Sequence, residues 1–287
     1  MAGVPTNRTN ISLPPEVAAE ILAKTQDASA VMSLARQINL PGRGVSIPVI
    51  TGDPQAAWVG ETDAKPVSNP ELGTKIMEAY KLAVIVPFSN EFRRDAAALY
   101  DELIRRLPLA LAAKFDATVV GAVQAPGSNF DTFAAATAQN ISNPNTYASL
   151  VAADTDIAAH GGILNGIALG PQGKGVLLGA VDGESRPLFI NNVAEGAVPM
   201  VLGAKTAVNK GIYDATNHVV GIAGDWTQAM YGTVEGVVID YSSDATLDLG
   251  EGASINLFQQ NMFAVRAEIE IGFRADTSCF NRLTVTP

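Results

Sequence analysis

Apolar and polar positions alternate most regularly near the C-terminus. Phe263, Val265, Ala267, Ile269, Ile271 and Phe273 interleave with Ala264, Arg266, Glu268, Glu270, Gly272 and Arg274. A period of two, with one apolar and one mostly charged face, specifies a long, half-exposed antiparallel strand. Elsewhere the period is helical. Phe92, Ala96, Leu99, Leu103 and Leu107 form a stripe that continues through Leu111, Phe115 and Val119 to Gly121. Ser89-Asn90 stands at its start, and Arg93, Arg94, Asp101, Glu102, Arg105 and Arg106 lie largely off it. That pattern predicts a long surface helix packed on a sheet. Pro108 falls inside it, and an interior proline costs about 3 kcal/mol in a regular helix, so a kink or a break is expected there.

Upstream the order is looser. The first dozen residues are polar and without period, which reads as an arm. Ser12-Leu13-Pro14-Pro15-Glu16 then opens a helix, with proline in the tolerated first turn and an acid at the positive end of the dipole. Val17, Ile21, Leu22, Val31, Met32 and Leu34 suggest one or two short amphipathic helices ended by Pro41-Gly42-Arg43-Gly44. Their apolar stripe needs a partner surface, for which a neighbouring copy of the chain is one candidate. Val45–Ile50 reads as a strand, and Ile76, Tyr80, Leu82, Val84 and Val86 as one face of a second. Pro54, Pro66 and Pro70 lie between them, so the pair belongs at an edge or projects outward. A lone hairpin is marginal in water, which again points to other copies. The expectation is that residues 1–80 are completed by identical chains.

The middle, roughly 125–225, is rich in glycine and less periodic. Asn143-Pro144 to Ala159 reads as a turn and a helix, while Val176–Leu178 and Leu188–Ile190 read as short strands. Strands are also expected over 218–223, 228–231 and 234–241. The architecture that follows is α+β: a long helix on an antiparallel sheet, with a second lobe in the middle.

Composition narrows the function classes. The 287 residues are 47 % hydrophobic and 17 % charged, enough for a substantial core. A net charge of −10 argues against sequence-reading contact with nucleic acid, which needs clustered Lys and Arg. Cys279 is the single cysteine, so no internal disulfide framework exists. There is no signal-peptide pattern at the N-terminus and no run long enough to span a membrane. His160 and His218 have no partner at metal-ligand spacing. Gly170-Pro171-Gln172-Gly173-Lys174-Gly175 lacks the spacing and the Ser/Thr of a phosphate loop, so a plain loop is expected. Asp154 and Asp156 would diverge on the predicted helix. No enzyme site, metal or cofactor is expected.

Trp58-Val59-Gly60-Glu61, Lys65-Pro66, Val86-Pro87-Phe88-Ser89-Asn90-Glu91, Gly224-Asp225-Trp226 and the stretch Asn261 to Glu268 occur in an order that resembles the major capsid proteins of tailed bacteriophages. The resemblance runs from about Ser12 to the C-terminus and implies a Hong Kong 97-type fold. It implies an N-terminal arm (1–44), an extended loop (45–80), a peripheral domain with a long spine helix (81–145 and 228–275) and an axial domain (146–227 and 276–287). The implied function is self-assembly as pentamers and hexamers into an icosahedral shell around double-stranded DNA, in the host bacterial cytoplasm. An encapsulin-like compartment shell is the alternative. Inter-subunit contacts are expected at Trp58, Glu61 and Lys65 on the hairpin and at Arg93, Arg94, Arg105 and Arg106 on the spine. Expected partners are the chain itself, a separate scaffolding protein, a portal, a decoration protein, and packaged DNA without sequence-specific contact. With no room for a scaffolding segment before the arm, the resemblance implies a separate scaffolding protein or a precursor already trimmed, and Met1 at the start favours the former. Some members of the family join a loop lysine to a peripheral-domain asparagine with help from a glutamate, and Lys65, Asn261 and Glu268 fall on the matching positions. A regular strand would hold Asn261 and Glu268 about 23 Å apart on opposite faces, so the glutamate would have to come from another subunit. The plainer reading, preferred here, is a solvated Lys65 and a Glu268 paired with a nearby arginine.

Overall fold

The computed structural model describes residues 15–42, 45–50, 72–91, 96–182, 184, 186–189, 200–234, 236–250 and 253–286, with side chains for all of these but 15–18, 46–50, 72–74 and 96–101. Helix α1 (Pro15–Ala28) starts on proline, whose missing N–H costs nothing at a first helical position. Ser29 then caps α2 (Ala30–Leu34) by accepting from the Met32 N–H. A short strand that the sequence did not signal, β1 (Arg36–Asn39), follows.

β2 (Val45–Ile50) and β3 (Leu72–Met77) pair antiparallel from Val45↔Met77 to Ile50↔Leu72, and with no other strand among the described residues. β4 (Tyr80–Ser89) belongs to a different sheet. The single strand expected over 76–86 is therefore two, divided at Glu78-Ala79. Ile76 is 49 % exposed, whereas Leu82, Val84 and Val86 turn inward.

α3 (Ala96–Val120) begins later than the expected Ser89-Asn90, because β4 keeps the chain extended to Ser89. It passes Pro108 without the anticipated break. Proline removes one intrahelical bond, a loss of about 3 kcal/mol, but Leu103, Leu107 and Leu111 on the same stripe are each 1 % exposed. Burying them contributes about 1.5–3 kcal/mol apiece, so packing outweighs the missing bond.

Beyond α3 come β5 (Thr137–Asn140), α4 (Thr146–Ala159), β6 (Gly166–Leu169), α5 (Pro171–Leu178), β7 (Met200–Val201), β8 (Ala204–Val208), β9 (Val219–Gly224), β10 (Ala229–Thr233), β11 (Val238–Ser242), β12 (Thr246–Gly250), β13 (Ala253–Asn256), β14 (Met262–Ala275) and β15 (Phe280–Thr284). Three expectations fail here. Val176–Leu178 is the end of a helix, since Gly170 precedes it in an extended conformation and Pro171 occupies its first turn. The glycine-rich 170–175 stretch is thus a helix start and not a loop. Leu188 and Phe189 form a bend, and Ile190 lies outside the described residues.

β14 organises the main sheet. It pairs antiparallel with β4 over Met262–Ile271, with β11 over Ala264–Glu268 and with β10 over Ile271–Ala275, while β1 adds in parallel to β10. The second sheet has the order β5-β15-β9-β6-β8-β7. Its strand β15 lies between β5 and β9, although it comes last in sequence. The expected alternation holds along β14 from Val265 to Glu270, while Ala264, expected on the outer face, is buried. Past Glu270 both faces are buried, and Arg274 is only 8 % exposed because the root of β3 covers it.

One apolar cluster joins Ile21 of α1 and the α3 leucines to Phe263, Val265, Ala267 and Ile269. A second runs through Val31, Phe115, Phe130, Phe133, Trp226, Phe273 and Phe280, whose rings meet mostly edge to face. A third fills the second lobe around Leu150, Ile157, Ile167, Leu177 and Val220. Two of these clusters overturn the expectation for the arm. Ile21, Ala30, Val31, Met32 and Leu40 are all buried against the chain's own core. Among the described side chains of residues 19–42, the apolar stripe needs no second copy to cover it.

Candidate assembly surfaces

Surfaces that join copies are to be sought where side chains are exposed and held in fixed geometry. The outward face of the main sheet is one. Lys81 of β4 stands 3.5 Å from Glu270 of β14, and Arg266 of β14 reaches Asp240 of β11 at 2.5 Å and Glu268 at 3.3 Å. Positions two apart on a strand share a face, which is why Arg266, Glu268 and Glu270 form one charged row. Ile85 and Val238 lie exposed on the strands flanking it, at 49 % and 46 %. Past the β12–β13 hairpin, Phe258 is 77 % exposed in the turn that leads into β14. Exposed apolar side chains beside fixed charges are the ordinary material of a protein–protein contact.

Of the residues on the cross-link positions, Asn261 and Glu268 are not brought together within the chain. Asn261 precedes β14 in a turn, in the left-handed region with φ 54°. Its backbone carbonyl accepts from the Asn90 N–H at 3.0 Å and its side-chain oxygen from the Asn90 amide at 2.7 Å. It pins the end of β4 to that turn. Glu268 sits mid-strand opposite Ala83 and Val238, with its carboxylate on Arg266, in keeping with the plainer reading. Because Asn261 is outside the strand, the opposite-face argument made from the sequence does not apply; separation along β14 keeps the two residues apart instead. Lys65 lies outside the described residues, as do Trp58, Glu61, Arg93 and Arg94.

Arg105 and Arg106 are both 63 % exposed on α3. Each contacts the Glu102 carboxylate one turn earlier, Arg105 through two bonds of 2.9 and 3.0 Å. The Arg105 hydrogen bond, with both positive charges close by, holds the Glu102 carboxyl below its ordinary value. Arg105 also lines a groove between α1 and α3 with Glu20, Lys24, Asp27 and Leu109.

Beneath these surfaces lie residues to which sequence reasoning gave no role. Asp116 on α3 is fully buried. It accepts from the Ser29 hydroxyl and from the N–H groups of Ala30 and Val31, at 2.5, 2.8 and 3.3 Å. Burial pushes its carboxyl up to about 7, against the opposite pull of those three donors. Asp225, in the Gly224-Asp225-Trp226 stretch, accepts from the Ile163 N–H, the Asn165 amide and both donors of Thr227. Burial alone would raise that carboxyl, but these bonds together hold it low. A buried acid with several donors has no signature in a single sequence, because all of these donors but Thr227 lie 60 to 87 positions away. Among the described residues no group of His, Cys, Asp or Glu is placed to hold a metal ion, and no helix is long and apolar enough to cross a membrane.

Comparison with known proteins places this architecture. The chain matches the Phage capsid family over residues 10–276. It is 31 % identical to the probable major capsid protein gp17 of Mycobacterium phage L5, over 95 % of this chain and 89 % of the relative. Among solved structures, a chain of Microbacterium phage Oxtober96 superposes with a TM-score of 0.71 at 19 % identity, covering 99 % of this chain and 96 % of that one. A capsid chain of a native GTA particle, computed with C5 symmetry, gives 0.62 at 14 % identity over 100 % and 96 % of the two chains. The α+β fold is thus that of phage capsid structures, and the chain belongs to the Phage capsid family.

Proposed function

We propose that this chain is the major capsid protein of a tailed bacteriophage and builds the shell of the virion. The observation that carries the reading is the family match across almost the whole chain, together with a β2–β3 hairpin that stands outside both large sheets. A two-stranded unit is marginal unless something packs on it, and a second copy supplies that surface. The named relative is a capsid protein of a phage, which favours a DNA-filled shell over an encapsulin-like compartment.

In this reading the chain closes into pentamers and hexamers, and many weak contacts acting together make the shell stable. Residues 81–145 and 228–275, with α3 and most of the main sheet, serve as a peripheral domain, and residues 146–227 and 276–287, with every strand of the second sheet except β5, as an axial domain. Of residues 45–80, the part of the hairpin beyond its buried root at Met77 lies over a neighbour, and Trp58, Glu61, Lys65, Arg93, Arg94, Arg105 and Arg106 take part in contacts between copies. The acidic chain leaves packaged DNA without sequence-specific contacts, and scaffolding, portal and decoration proteins are separate chains. Electron microscopy of the purified protein tests the reading. Closed shells are expected, and a subunit that stays near 30 kDa under all assembly conditions overturns it.

A covalent bond between copies would require the Lys65 amine to attack the Asn261 amide carbon and release ammonia, with a carboxylate taking the lysine proton. Asn261 is exposed, but Glu268 is engaged by Arg266. Non-covalent association is therefore the reading preferred, and a 30 kDa band from particles on denaturing electrophoresis is its expected result.

A further inference from the structure

We infer that Arg274, acting with a glycine notch in the main sheet, is the positioning residue that fixes the direction in which the β2–β3 hairpin leaves the body of the protein. Its consequence for assembly rests on the capsid reading above; the clamp itself does not.

Both feet of the hairpin enter one notch. Gly232 of β10 and Gly272 of β14 are register partners, so two adjacent strands lack side chains at the same point. Leu40, ahead of β2, and Met77, at the end of β3, fill the space and are 1 % and 0 % exposed. A Cβ on Gly232 would stand 2.5 Å from the Leu40 side chain and 3.0 Å from the Met77 sulfur. A Cβ on Gly272 would stand 2.4 Å from the Glu78 carbonyl oxygen, a backbone atom that cannot move without carrying β3 with it.

Arg274 then locks the β3 foot. Its Nε donates to the Ile76 carbonyl at 2.7 Å, Nη1 to Asp131 at 2.8 Å and Nη2 to Asn129 at 2.7 Å. Acceptors reached from Nε, Nη1 and Nη2 separately suit the planar fork of a guanidinium, which a lysine ammonium, donating from one nitrogen, does not reproduce. Asp131 in turn accepts from the Ala275 N–H and lies 3.6 Å from Lys75, whose ammonium donates to the Ala275 carbonyl at 3.0 Å. The hairpin root, the segment after α3 and the end of β14 are thus tied at one point.

A root of this kind acts as a lever. A tilt of about ten degrees displaces the far end of a six-residue strand, about 20 Å away, by about 3.5 Å. Packed contacts tolerate far less than that, so the clamp decides whether a projecting hairpin meets a neighbour in register.

Hydrogen exchange on the unassembled chain tests the clamp, with Arg274→Met removing the three donors. The expected result is at least tenfold faster exchange of the 45–50 and 72–77 amides, with protection in β9 and β15 unchanged. Equal hairpin exchange in a folded variant overturns the inference. If β9 and β15 also lose protection, Lys75→Met replaces the test, because Lys75 is 44 % exposed and its loss removes one rim bond; the same selective change is expected, and its absence is equally fatal. Particle images then read the consequence, with fewer closed shells of uniform diameter expected from whichever variant is selectively loosened. A loosened hairpin with unchanged shells overturns the positioning role. A native chain that forms no particles overturns the capsid reading and leaves the exchange result standing.

Discussion

Ser29 and Asp116 are 87 positions apart in the chain and 2.5 Å apart in space, the hydroxyl donating to the carboxylate. One side chain of α3 thereby satisfies the first N–H groups of α2, which a five-residue helix cannot satisfy by itself.

The Asp116 carboxyl, raised to about 7 by burial, makes this tie pH-dependent. A carboxyl whose folded value is raised binds more protons folded than unfolded between about 4 and 7. Its contribution is therefore complete below about 4 and lost as pH rises through about 7, a change on the order of a few kcal/mol. In denaturant titrations across that window, the stability of native protein relative to Asp116→Asn, which cannot ionise, should fall as pH rises. Parallel curves would contradict the assignment.

Asp225 has the opposite sign. Its carboxyl is held low by its hydrogen bonds, so its contribution is present above the unfolded value and disappears as pH falls through the folded one. Asp225→Ala should destabilise the chain by about 1–3 kcal/mol at neutral pH, through donors left unpaired at Ile163, Asn165 and Thr227. The deficit relative to native protein should shrink in acid.

Phe133 is fully buried, with its ring 4.5 Å from that of Phe280 and 5.9 Å from that of Trp226. Phe133→Ala should cost about 3–5 kcal/mol through the cavity left among these rings. Thermal unfolding checks it, and a shift no larger than that of an exposed control such as Leu109→Ala would show that the site collapses.

Arg105 and Arg106 make their ion pairs in water, where such pairs contribute little to folding. The double change to alanine should leave the melting temperature of the unassembled subunit unchanged while lowering the yield of closed particles, most visibly at low salt. Unaltered yield would remove both residues from the contact set.

The regular elements were legible wherever one face alone is buried. α3, α4 and β14 between Val265 and Glu270 follow their periodicities, since each meets the core along a single stripe there. Misreadings cluster where tertiary contacts override the local pattern. Val176-Leu177-Leu178 is too short a run to separate strand from helix, and the stronger signal was Pro171 in a first turn. β1 is a polar four-residue strand made by pairing with β10, not by its own preference. The arm was read as reaching for a neighbour because an apolar stripe does not say which surface covers it; the decisive partners, Asp116 and the α3 leucines, are distant in sequence. Arg274 sits on the polar side of the alternation and is buried by a foot of the hairpin that the pattern could not place.

The position of β15 bears on how the protein is made. Residues 280–284 are translated after every other strand of the second sheet, yet they fill a place inside it, between β5 and β9. On the ribosome that sheet has to wait with a gap until these residues emerge. A polypeptide cut short before Phe280 would leave β5 without a neighbour and Phe133 without the ring stacked nearest to it. Such defective products would be excluded at the level of folding, before they reached a growing lattice.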